Sequence, residues 1–172
     1  MDITSRIIGH GMAAPEELLA NPRNFRIHPT AQRLALTAAL EDIGWISPVI
    51  VNQSTGTVVD GHLRVAVALE KGEPEIPVDY VALTEEEEGQ ALATLDPITA
   101  MAKPNAHLFG RLIEGAATGE ADLMAYLADF AERIGVNGAT TNTKEATGSQ
   151  ELGAGDFDKF THECPGCGFK FD

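Results

Sequence analysis

A β-branched run that stops at an Asp-Gly pair and turns at once into an alanine-rich helix constrains this chain more than any other feature. It is TVVDGHLRVAVAL, residues 57–69. A glycine lets the backbone adopt left-handed dihedrals and come close to a ligand. The first turn of the helix that follows leaves N–H groups unpaired and carries the positive end of the helix dipole. His62 and Arg64 add side-chain donors at the same place, so the junction is a candidate anion site. An ordinary strand-to-helix turn has the same signature, because DGHxR is far looser than a P-loop.

Charge limits what such a site serves. The formal net charge of −14 argues against non-specific coating of DNA, which rests on neutralising phosphates with Lys and Arg. The imbalance is uneven: residues 1–70 hold five arginines against seven acids, a net of −2, and −12 falls on the remainder. The N-terminal half can therefore present a local positive pocket, suited to a nucleotide rather than a long duplex. At 172 residues the chain is long enough for one main domain and a small appendage. No run of about 18 apolar residues occurs, and MDITSRIIGHGM lacks a basic start and an apolar signal core. Neither a membrane span nor secretion is expected, and a cytoplasmic location is the default. Two cysteines exclude a disulfide framework.

Breakers and periodicity divide the chain. NPRNFRIHP, bracketed by Pro22 and Pro29, reads as an ordered loop. Thr30 is placed to cap a helix to about Ile43, with Leu36, Leu40 and Ile43 on one face, Gly44 as a left-handed stop, and Trp45 and Ile46 packing the exit. VIVN and TVVD form two short strands around the turn QSTG, a helix covers 62–71 with Gly72 as its stop, and EIPVDYVAL supplies a further strand. Thr84 and Glu87 have capping-box spacing. The acids Glu85 to Glu88 are read as a solvated helix start rather than a metal site, and Pro97 as the end or kink of that helix. Residues 106–134 predict a helical hairpin around Gly119, with Leu108, Leu112, Leu123, Leu127, Phe130 and Ile134 inward. Residues 135–155 are poor in large apolar groups and read as a flexible linker before the tail 156–172.

Two constellations carry chemistry. Loop 21–28 holds Asn21, Arg23, Arg26 and His28, and it bounds the same small α/β unit as Asp60, Gly61, His62 and Arg64. Arginine offers a planar fork for phosphate, histidine donates or shuttles a proton near neutral pH, and Asp60 can orient a cation or a water. The candidate ligand-binding set is therefore Asn21, Arg23, Arg26, Gly61, His62 and Arg64, with Asp60 and His62 as the candidate catalytic pair. The second constellation is THECPGCGFKFD, where Cys164 and Cys167 on a glycine turn have the spacing of a zinc half-site. His162 is the natural third ligand. The fourth must be a carboxylate, another histidine or a second chain, which makes a homo-oligomer one expectation. A redox C-x-x-C is the alternative, without a thioredoxin-like strand before it.

The order NPRNFRIHP, helix, GWISPVIVN, TVVDGHLRVAVAL, IPVDYVAL, EEEEGQALATLDPI resembles the ParB/sulfiredoxin-like superfamily over roughly residues 15–104, above all the ParB-like N-terminal (ParB-like nuclease) domains of phages and mobile elements. The resemblance implies an α+β fold: a compact α/β nucleotide-binding domain over 1–104, followed by a hairpin over 105–134, the linker, and a small zinc-knuckle tail. In chromosome-partition ParB the matching motif is arginine-rich and lies at CTP, in sulfiredoxin it is Gly-Cys-His-Arg at ATP, and in free serine kinases it is DGHHR-like, the form nearest to this one. Gly61 stands where the sulfiredoxin cysteine would be, so sulfinic-acid reduction is not expected. Partition proteins continue into an Asn/Arg-containing helix and a helix-turn-helix. Here the stretch is Ala93–Pro97 and a short hairpin, so sequence-specific centromere binding is not expected. The implied function is binding of ATP or CTP with Mg²⁺ in DNA metabolism or modification, with nucleotide hydrolysis, phosphotransfer or DNA cleavage as the activities to consider. The alternative is a non-catalytic adaptor whose zinc tail recruits a DNA methyltransferase or another DNA-modifying enzyme.

Overall fold

The three β-branched runs become three strands of one four-stranded mixed sheet, and a fourth strand comes from the N-terminus. The computed structural model describes residues 3–115, 118–136, 162–163 and 170–171. Contacts divide the chain into Met1–Asn137 and Gly138–Asp172. The strands of the first unit are β1 (Ile7–Ala13), β2 (Val49–Asn52), β3 (Thr57–Asp60) and β4 (Ile76–Val81), in the order β1-β4-β2-β3. β2 and β3 form an antiparallel hairpin whose turn closes with the Gly56 N–H donating to the Asn52 carbonyl at 2.8 Å; Gly56 has φ +71°. α2 (His62–Lys71) carries the chain from β3 past β2, so β4 pairs in parallel with β2, Val49 opposite Val78 and Val51 opposite Tyr80. Gly72, left-handed at φ +71°, ends α2 by donating to carbonyls of its last turn.

Strand alternation sends Val49, Val51, Val58, Ile76 and Val78 into one core with Val65 and Ala68 of α2, and Leu18, Trp45 and Tyr80 pack against it. Each fully buried valine or isoleucine among them contributes about 1.5–3 kcal/mol relative to exposure. β1 lies antiparallel to β4 and is absent from the sequence reading of 1–12. Its alternate residues Gly9 and Gly11 hide the signal. Gly11 faces Val78 in register, and a Cβ there would be in ordinary contact with the Tyr80 ring at 3.6 Å. Ile8, His10 and Met12 face the other way and are exposed, as befits an edge strand.

α1 (Thr30–Ile43) buries Ala35 and Ala38 and lies against α2 and against α5 (Ala121–Arg133). Several local expectations are corrected. Pro29, not Thr30, holds the cap position of α1, with no side-chain cap bond. Gly44 has φ +86° but ψ −166°, an extended mirror-image conformation open to glycine rather than a left-handed helical stop. Ile43 and Ile46 are exposed, whereas Trp45 does pack on the core. α3 (Glu85–Ala100) starts at a complete Thr84–Glu87 capping box but continues through Pro97, the next turn closing through Met101 N–H on the Ile98 carbonyl. In α4 (Ala106–Gly115), Leu108 and Leu112 are exposed, and Phe109 is the residue that meets α5, edge-on to Phe130 at 5.0 Å. Among the described residues no helix is long and apolar enough to cross a membrane.

In the second unit, β5 (His162–Glu163) pairs antiparallel with β6 (Lys170–Phe171). Cys164 and Cys167 lie outside the described residues, as does nearly all of the expected linker. Among the described residues no group of three His, Cys, Asp or Glu is placed to hold a metal ion.

Candidate functional site

NPRN folds as its residue types dictate. Pro22 fixes the second position of a turn closed by Asn24 N–H on the Asn21 carbonyl at 3.0 Å. Each asparagine then accepts from the amide two residues on: Asn21 Oδ1 from Arg23 N–H at 3.0 Å, and Asn24 Oδ1 from Arg26 N–H at 3.2 Å. The loop so shaped is pinned from below by Glu88, the one acid of the EEEE run that is buried, at 2 % exposure. Glu88 Oε1 accepts from Asn21 Nδ2 at 2.8 Å and Arg23 Nη2 at 2.6 Å. Its Oε2 accepts from Asn52 Nδ2 at 2.7 Å, Thr55 Oγ1 at 2.6 Å and Thr57 Oγ1 at 3.1 Å. Burial alone would push this carboxyl up, but the bonds from Thr55, Asn52, Asn21 and Arg23 outweigh it and hold the pKa at about 2. Gly89 makes room, since a Cβ there would sit 3.2 Å from Arg23 Nη1. The expected solvated helix start therefore holds for Glu85 and Glu86 but not for Glu88.

Above this anchor lies a cavity of about 410 Å³, between loop 21–28, the β3–α2 turn, α1, Asp96 of α3, and α5. Arg26, Asp60, Gly61, His62 and Arg64 line it together, so residues more than thirty positions apart meet as expected from the loop and the turn. Asn21 and Arg23 are placed differently: both bind Glu88 and do not line the cavity, and Asn21 touches the site only through its N–H, which donates to His62 Nε2 at 3.3 Å. That bond fixes the imidazole as the tautomer protonated on Nδ1. Burial, and next the charge of Arg26, lower the His62 pKa below its ordinary value, so the ring is neutral at pH 7.

Arg26 is 12 % exposed and shared between two carboxylates. Its Nη1 donates to Asp60 Oδ1 at 3.2 Å, and its Nε stands 2.5 Å from Asp96 Oδ2 in an ion pair whose N–H is not aimed at the oxygen. Asp60 Oδ2 accepts from Arg64 Nη2 at 2.8 Å, and the same Nη2 reaches the Pro48 carbonyl at 3.0 Å. Both Asp60 oxygens are thus paired with arginines, which gives this carboxylate a holding role, while Asp96, the other carboxylate of the cavity lining, is half exposed and meets Arg26 through one oxygen. Gly61 caps α2 at φ +97°, without a side-chain cap bond, so the first amides of α2 keep their donors. A Cβ on Gly61 would lie 3.1 Å from Arg64 Nε and Nη2 and from Val49 Cγ2.

Five buried nitrogens around the cavity find no hydrogen-bond partner among the described residues: Arg26 Nε and Nη2, His28 Nε2, His62 Nδ1 and Arg64 Nε. Buried polar groups are ordinarily paired, and an unmade bond there costs about 1–3 kcal/mol. On Arg26, His62 and Arg64 the unused groups are N–H donors. An oxyanion entering the cavity would supply the missing acceptors.

No family model and no curated protein matches the sequence. Solved structures do match. The C-terminally truncated chromosome-partitioning protein ParB from Caulobacter crescentus, complexed with CTP-γ-S, superposes with a TM-score of 0.51 at 22 % identity, over 62 % of this chain and 63 % of that one. The fold is ParB-like. A pNOB8-like ParB N-domain is also similar, with a TM-score of 0.48 at 15 % identity, over 77 % of this chain and 49 % of that one. The chain spans under two thirds of the length of the Caulobacter protein it matches. The sheet, the loop and the DGHLR turn all lie in the unit Met1–Asn137.

Proposed function

We propose that the ParB-like domain binds a nucleoside triphosphate, CTP or ATP, with its phosphates at the Gly61–Arg64 turn. The observation that carries this is the set of buried, unpartnered N–H donors of Arg26, His62 and Arg64 around one cavity, beside the uncapped start of α2. Support for a nucleotide comes from the ParB of the same fold, which was solved with CTP-γ-S. A role beside DNA follows the same likeness and is part of the proposal. Binding, rather than turnover, is what the geometry favours. Asp60 is committed to two arginines, and the His62 Nε2 lone pair is occupied by the Asn21 N–H, so neither is a free general base.

Isothermal titration with CTP and ATP, at low salt with Mg²⁺, tests this. Heat of binding is expected for the wild-type chain, with affinity lowered about tenfold or more in Arg64→Ala, as for loss of a hydrogen bond to a charged group. No heat with either nucleotide refutes it. On sequence grounds the tail is proposed to bind zinc through His162, Cys164 and Cys167, β5 and β6 pairing across the segment that holds both cysteines. Elemental analysis of the purified chain checks it, and a metal-free protein contradicts it.

A further inference from the structure

The cavity has two unlike walls. Besides the arginines of the loop and turn, the lining has an apolar part, made by Leu36 and Ala39 of α1 and by Leu123 and Tyr126 of α5. Inorganic phosphate or polyphosphate, being strongly hydrated, gains nothing from such a wall, whereas a flat aromatic group gains both burial and stacking. At about 410 Å³ the cavity also lies within the usual range for small-molecule sites, about 300–1,000 Å³.

Tyr126 is held for this use. Its ring stacks on Phe130 at 6.3 Å and 14°, and Phe130 is in turn braced edge-on by Phe109 at 5.0 Å and covered by Arg133 at 5.6 Å. A ring so buttressed loses little freedom when a ligand packs on it, yet Tyr126 remains 42 % exposed. α5 lies outside residues 15–104, over which the sequence resemblance runs, so Leu123 and Tyr126 belong to the part of the chain that resemblance does not describe.

We infer that Tyr126 and Leu123 of α5 form the wall that receives the base, making Tyr126 a specificity residue that distinguishes a nucleotide from a bare polyphosphate. The inference rests on the nucleotide reading above and names the residues that read the other end of the ligand. Binding then uses α5 at the base and the Gly61–Arg64 turn at the phosphates.

The test is titration of the full chain with CTP, ATP and inorganic tripolyphosphate in Mg²⁺. Wild-type protein is expected to bind at least one nucleotide about tenfold or more tightly than tripolyphosphate. Tyr126→Ala should lower that nucleotide's affinity by about tenfold, within the range for losing one aromatic–base stack, and leave tripolyphosphate within twofold. Tyr126→Phe should keep wild-type preference. Should Tyr126→Ala not fold, Tyr126→Leu keeps apolar volume, removes the ring and gives the same comparison. Equal wild-type affinity for nucleotide and tripolyphosphate, or equal weakening of both by the variant, overturns the base wall while leaving the phosphate site standing. Binding of none of the three overturns the nucleotide reading itself.

Discussion

Replacing Glu88 by glutamine removes one charge and few atoms, and the structure says it should be costly. The native carboxylate accepts from Asn21, Arg23, Asn52, Thr55 and Thr57, and an amide nitrogen in place of either oxygen would confront donors. Against burial, the bonds from Thr55, Asn52, Asn21 and Arg23 hold its pKa at about 2 against 4.5 for the free side chain, which corresponds to about 3 kcal/mol in favour of the ionised native state. A pKa depressed by folding gives stability that is complete above the unfolded value and is lost as pH falls through the folded one. Glu88→Gln should therefore cost about 3 kcal/mol at pH 7 in urea unfolding, with the slope unchanged. The gap to wild type should hold down to about pH 4.5 and close toward pH 2. A cost below about 1 kcal/mol, or a gap that stays constant from pH 7 to pH 2.5, refutes the claim that this carboxylate anchors the loop.

Gly61→Ala should be both strained, at φ +97°, and crowded, with its Cβ 3.1 Å from the Arg64 guanidinium; a loss of about 1–2 kcal/mol and a weakened phosphate site are expected from thermal melts and titration, and wild-type behaviour in both contradicts the turn geometry. The His62 imidazole should titrate below about 6.5 by NMR, and bound nucleotide should raise that value, because phosphate favours the imidazolium; since folding lowers this pKa, its contribution to stability is intact above about 6.5 and declines below it. Asp96→Asn frees Arg26 from one of its two carboxylates and should tighten nucleotide binding severalfold, a small effect because Asp96 is half exposed; weaker binding would mean that Asp96 positions Arg26 rather than competing for it.

What the sequence shows and what it hides follow from locality. The DGHLR turn was legible because a β-branched run, one glycine and an alanine-rich helix specify their structure within a few residues. So was the Thr84–Glu87 capping box, which needs only four positions. β1 was not, since Gly9 and Gly11 lower strand propensity and only pairing with β4 around Tyr80 makes the segment a strand. Glu88 was hidden for the same kind of reason. Its neighbours Glu85 to Glu87 satisfy the helix dipole, and nothing local separates the fourth acid from them. The clue was Gly89, a poor helix former inside a helix, whose lack of a side chain admits Arg23 from sixty-six positions away. Tyr126 was unreadable as a cavity residue because α5 reaches the site only through its packing on α1.

A ¹⁵N–¹H NMR titration with CTP or ATP in Mg²⁺ tests the central claim most directly, because it reports where a ligand sits as well as whether it binds. The account predicts saturable shifts at the amides of Gly61, His62, Leu63 and Arg64 and at the Arg26 and Arg64 side-chain N–H groups. Saturable shifts that leave these amides unmoved, or no shifts at millimolar nucleotide, would contradict it.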